Sequence, residues 1–158
     1  MPPPLAYFLT WTCYGTWLRG DERGSVDTDH NAPGQPFARP STERVRVNAS
    51  RLKSPPLTLT PSQRDIVEKS IQAHCAHRGW KLHAINARTN HVHVVVTCDT
   101  ESTPERAMNE FKAWATRDLR KAHQSLAERK LWTAHGSTRW LKDRDSLAAA
   151  VTYVLECQ

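Results

Sequence analysis

The sequence lacks the run of ~18 consecutive apolar residues that a membrane-spanning helix needs. It also lacks a charged and then apolar leader: Met1-Pro2-Pro3-Pro4 opens the chain with neither, so no secretory signal is expected. Paired cysteines are missing as well. Cys13, Cys75, Cys98 and Cys157 lie far apart with no Cys-x-x-Cys, which argues against a disulfide framework or zinc ribbon and for reduced thiols in the cytoplasm. Positive charge, in contrast, is in excess. With 22 Lys and Arg against 16 Asp and Glu, net charge is +6, pI is near 9.4 and mean hydropathy is −0.63. That balance favours a polyanionic partner. At 158 residues the chain reads as a single domain, 1–158, with room for one core.

Periodicity gives the element order. Leu5 to Cys13 is aromatic and β-branched, a first strand that Tyr14-Gly15-Thr16-Trp17 turns. From about residue 19 to 56 the chain is rich in Gly, Pro, Asp and Arg and reads as a loop insertion, with a short strand near Val45 and Val47 as one option. Thr60-Pro61-Ser62-Gln63 starts a helix that carries Ile66, Val67, Ile71 and Cys75 inward and stops near Gly79. His74 and His77 on this helix read as solvated side chains. Trp80 to Ala87 alternates as a second strand. Thr103-Pro104-Glu105 opens a helix to about Gln124 with an apolar stripe of Met108, Phe111, Ala115, Leu119 and Ala122, and with Arg106, Arg117, Arg120 and Lys121 opposite. Within Trp132 to Leu141 a strand is expected around Thr138-Arg139-Trp140-Leu141, and Asp145 or Ser146 caps a last helix whose buried arc is Leu147, Val151, Val154 and Leu155. The order β, insertion, α, β, β, α, β, α predicts an α+β protein: a ferredoxin-like βαββαβ sheet with an additional C-terminal helix.

The most specific local signal is Asn90-His91-Val92-His93-Val94-Val95-Val96. Strand side chains alternate, so His91 and His93 share a face with Cα atoms roughly 7 Å apart, a span two imidazoles can bridge to one cation. Val92, Val94 and Val96 take the core face. Metallo-β-lactamase-type hydrolases need Asp-His just downstream, and histidine-triad nucleotide hydrolases need His where Val95 stands. Both are excluded. A satisfied histidine pair on a half-exposed sheet is the non-catalytic alternative. The second signal is Tyr153, which lies outside the apolar arc of the last helix, beside the small Ala149, and is free to face a groove.

Together these residues resemble the HUH single-tyrosine transposases, the IS200-like and REP-associated tyrosine transposases. Asn90-His91-Val92-His93-Val94-Val95 matches the HUH motif; Phe111-Lys112-Ala113-Trp114, Trp132, His135-Gly136-Ser137, Arg139 and the Tyr153 helix follow in similar order. The resemblance implies a metal-dependent endonuclease and strand-transferase acting on single-stranded or hairpin-forming DNA. His91 and His93 would hold Mg²⁺ or Mn²⁺, and Tyr153 would form a 5′-phosphotyrosine intermediate. Relatives place an amide four residues after the tyrosine as third ligand, where this chain has Cys157; Gln158 is the substitute expected here, with Glu156 next. Tyr7 and Tyr14 are rival nucleophiles. Lys112, Arg117 and Arg139 are the expected DNA contacts. A non-catalytic DNA- or RNA-binding module and a small-phosphoester hydrolase are the competing functions. Relatives act as helix-exchanging dimers or as monomers, and the residues leave both open.

Overall fold

The computed structural model describes residues 4–16 and 56–156. The expected short strand near Val45 and Val47, the insertion as far as residue 55, Cys157 and Gln158 lie outside the described residues. Among the described residues four strands and three helices occur in the order β1 (Ala6–Cys13), α1 (Pro61–Arg78), β2 (Lys81–Ala87), β3 (His91–Thr97), α2 (Pro104–Ala122), β4 (Trp132–Leu141) and α3 (Arg144–Glu156), with a short 3₁₀ turn (Gln124–Leu126) after α2. The sheet order is β2-β3-β1-β4, antiparallel throughout. This is the expected ferredoxin-like sheet with its extra helix. No helix among the described residues is long and apolar enough to cross a membrane.

Local chemistry sets the helix ends. Thr60 Oγ1 accepts from the Gln63 amide and Gln63 Oε1 from the Thr60 amide, a reciprocal cap on α1, and such a cap contributes about 1 kcal/mol. Gly79 closes α1 at φ 70°, a left-handed position that favours glycine. The α3 cap is neither Asp145 nor Ser146. Asp143 Oδ1 accepts from the Ser146 amide at 2.7 Å, so the helix begins at Arg144. That backbone bond is the leading cause holding the Asp143 carboxyl below its ordinary range.

Strand alternation divides the sheet between two cores. On one face Leu9, Trp11, Val92, Val94 and Val96 pack under α1 and α2 against Val67, Ile71 and Phe111. Each fully buried side chain of this kind contributes roughly 1.5–3 kcal/mol. His74 belongs to this layer and is not solvated: it is 6% exposed, and its Nε2–H donates to Glu110 Oε1 at 2.7 Å. On the other face α3 covers a smaller cluster of Ala6, Ala84, Val95, Leu141, Ala150 and Val154. Leu155, expected in the buried arc of α3, is 56% exposed; Ala150 takes the inward position, because a small residue lets the helix approach the sheet. Ala122 likewise is exposed at the end of α2.

Candidate active site

The register brings the functional face together. β3 pairs His93 with Thr10 of β1 and with Asn86 of β2, while β1 pairs Thr10 with Ser137 of β4. Asn86, His93, Thr10 and Ser137 therefore make a polar row across the sheet, with His91 and Arg139 each displaced two residues along their strands on the same face. The two imidazole rings lie 4.7 Å apart. Asn90 Oδ1 accepts from His91 Nδ1 at 2.7 Å, and Thr10 Oγ1 lies 2.8 Å from His93 Nδ1. The Asn90 oxygen can only accept, so His91 carries its proton on Nδ1 and its lone pair on Nε2, the arrangement a metal-ligating histidine requires; the Thr10 hydroxyl orients the His93 ring.

His93 is held neutral. Burial, then the neighbouring His91 and Arg88, push its pKa down from 6.5 to about 4. A neutral imidazole is the form that coordinates a cation. Among the described residues no group of three His, Cys, Asp or Glu side chains comes together, so Glu156 does not join the pair. Gln158 lies outside the described residues.

Tyr153 stands over this row. Its ring centroid is 5.7 Å from His93 and 5.9 Å from Phe8, and the residue is 45% exposed. Asn86, which sequence reasoning passed over, donates from Nδ2 to the Val154 carbonyl at 2.9 Å and so ties the tyrosine's helix to the strand beside His93. The carbonyl belongs to the last described turn of α3. Between α3 and the β1–β4 half of the sheet lies a cavity of about 730 Å³, bounded by Thr10, His93, Arg139, Asp145 and Tyr153.

The rival tyrosines are elsewhere. Tyr7 is on the opposite face, its hydroxyl donating to the Ser102 carbonyl at 3.4 Å, and burial raises its pKa. Tyr14 follows β1 with the Lys130 ammonium 5.6 Å from its ring. Of the expected DNA contacts, only Arg139 reaches the cavity. Lys112 is 9% exposed, with Nζ donating to the Thr133 and His135 carbonyls at 3.0 and 3.4 Å, and burial lowers its pKa. It fastens β4 to α2. Arg117 stacks over Trp114 at 4.7 Å, on the helix that covers the other side of the sheet.

Solved structures share the fold. A candidate transposase from Deinococcus radiodurans R1 superposes with a TM-score of 0.57 at 13% identity, covering 98% of this chain and 91% of its own. A REP-associated tyrosine transposase bound to a REP hairpin gives 0.55 at 11% identity, covering 97% of this chain and 66% of its own. At these identities the likeness establishes the fold alone. No curated protein sequence matches. The family model described as "Transposase IS200 like" matches residues 56–147, a span that includes His91 and His93 and ends before Tyr153. That span exceeds half of the sequence, and the chain belongs to the IS200-like transposase family.

Proposed function

We propose that the chain cuts and rejoins single-stranded DNA beside a hairpin, with Tyr153 as nucleophile and His91 and His93 as ligands of a divalent cation. The observation that carries this reading is the placement of Tyr153 5.7 Å from the neutral, oriented His93 on one cavity with Arg139. Tyr153 Oη attacks the scissile phosphorus; the Oη–P bond forms as the bond from phosphorus to the 3′ oxygen breaks. The phenolic proton passes to water and the 3′ oxygen takes one up, leaving a 3′-OH and a 5′-phosphotyrosine. Because the new ester keeps the phosphodiester energy, reversal by another 3′-OH joins strands. A cation held by the two imidazoles would offset charge on the phosphate oxygens. Imidazole ligands suit Mn²⁺ better than Mg²⁺, so both ions should serve, with Gln158 the proposed third ligand. Asn90 and Thr10 keep the ligating nitrogens aimed, and Arg139 receives the strand's phosphate. The REP hairpin bound by the second structural neighbour supports hairpin DNA as the partner.

The test uses end-labelled hairpin DNA pools with single-stranded flanks, incubated with Mn²⁺ or Mg²⁺ and resolved on denaturing gels. A protein–DNA adduct from the native chain, absent for Tyr153→Phe and in EDTA, is the expected result. Cleavage without an adduct would indicate a hydrolase. Binding without cleavage on these substrates would favour a DNA-binding module.

A further inference from the structure

The cavity beneath Tyr153 is larger than a phosphate requires. Its volume of about 730 Å³ falls in the roughly 300–1,000 Å³ range of pockets that enclose whole small molecules. Asp145, Ala149 and Tyr153 follow one another at four-residue spacing along α3, and all line it. At 1.5 Å per residue, Asp145 is about 12 Å along the helix from the tyrosine. On the reading above, a phosphate engaged at Tyr153 leaves the Asp145 end to a neighbouring part of the strand.

The chemistry of that end is unlike the rest. Asp145 lines the same cavity as Arg139, yet the two form no ion pair, and among the described residues the Asp145 carboxylate has no side-chain partner. Capping does not explain it, since Asp143 already caps α3. In the first turn of α3 the carboxylate suits the helix dipole, but it repels phosphate, so at the mouth of a DNA site it opposes binding unless the strand brings it a donor. DNA's strong donors are on its bases: the amino groups of cytosine, adenine and guanine. Thymine has only a ring N–H set between two carbonyl oxygens, which a carboxylate disfavours. Phe8 and Ala149 supply apolar walls for a flat ring.

We infer that the cavity is a nucleobase pocket. It takes the base of a nucleotide flanking the scissile phosphate, turned out of the strand, with Asp145 accepting from its amino group and Arg139 holding the adjoining phosphate. Extruded bases are read in this way, by hydrogen bonds to their edge and by apolar contact with their faces.

The experiment is anisotropy, in EDTA, with hairpins whose single-stranded flanks carry A, C, G or T at each position in turn. The native chain should prefer an amino-bearing base over thymine by about tenfold at one flanking position. Asp145→Ala should erase that preference and leave other positions unchanged; Asp145→Asn, which keeps the shape and one acceptor, should retain part of it. No preference in the native chain, a preference that survives Asp145→Ala, or a uniform change across all bases would overturn the pocket. Cleavage of the same oligonucleotides is scored separately. A base preference without cleavage would fault the catalytic reading and leave the pocket standing.

Discussion

The two faces of the sheet are built from the same strands and behave oppositely. On the α1–α2 face, Val92, Val94 and Val96 are fully buried in a continuous apolar core. One residue out of phase, His93 lines the cavity under α3 with the His91 ring beside it, and Val95 returns to a core. The covering helix explains the contrast. α3 packs one side, Leu147, Ala150, Val151 and Val154, on a small cluster and is tied to β2 by Asn86, while Asp145, Ala149 and Tyr153 border the cavity alongside. On the proposed function stability and chemistry fall on opposite faces, and substitutions should separate them.

The sharpest separation pairs Tyr153→Phe with Phe111→Ala. Loss of the proposed nucleophile should lower cleavage on the order of 10⁴-fold or more. Tyr153 is 45% exposed, so the same change should move folding stability by less than about 0.5 kcal/mol. Phe111 is fully buried beside Trp11 and Trp80; truncation there should cost about 3–5 kcal/mol in a denaturant titration. A large loss of stability from Tyr153→Phe would break the division of the faces.

Lys112 and Arg139 sharpen it further, because the residues share a charge and differ in placement. Lys112→Met leaves the Thr133 and His135 carbonyls without their donor, a loss of about 1–3 kcal/mol of stability. It should leave the salt dependence of DNA binding unchanged. Arg139→Ala should spare the fold and reduce the slope of log K against log salt by about 1. If Lys112 instead carries the salt effect, the amine leaves its carbonyls when DNA binds.

Much of this was legible in the sequence, and the exceptions have physical causes. The His-Val alternation fixed which side chains of β3 share a face, and the position of Tyr153 beside Ala149 put it on the groove. The burial of Lys112 was also encoded, four residues after Met108 and three before Ala115, but side-chain type suggested the surface. His74 repeats the case, three residues after Ile71. Spacing outweighs polarity when a carboxylate or a carbonyl waits at the buried end. Thr10 and Asn86 could not be found, because their roles depend on strand register, which pairing between distant segments decides. The true cap of α3 was missed among Asp143, Asp145 and Ser146, all competent; the path of the chain leaving β4 selects the first.

The pH dependence of stability should carry the signature of the polar face. His93 titrates near 4 when folded and near 6.5 when unfolded, with His91, Arg88 and the Tyr153 ring as its neighbours. Between those values the unfolded chain binds the extra proton, so its contribution is intact above 6.5 and lost as pH falls toward 4. In EDTA, His93→Gln should flatten that part of the acid limb. An unchanged limb would mean that the folded imidazole protonates as readily as a free one.

The smallest effect, and the most discriminating for how the end of α3 is anchored, belongs to Asn86. Its amide donates to the Val154 carbonyl, one residue beyond Tyr153, and touches neither DNA nor cation in the arrangement described. Asn86→Ala should cost about 1 kcal/mol of stability. If the bond only supports the fold, adduct formation at saturating DNA should be unaltered once the protein is folded. If it positions the tyrosine, the maximal rate of adduct formation should fall several-fold while DNA affinity holds, because a nucleophile displaced even slightly from its approach to phosphorus loses rate before it loses binding. The carbonyl of Val154 needs only a donor of the right length, so Asn86→Gln should fail where shape alone would tolerate it. A rate unchanged in both variants would place the anchoring of the helix entirely in Ala150 and Val154.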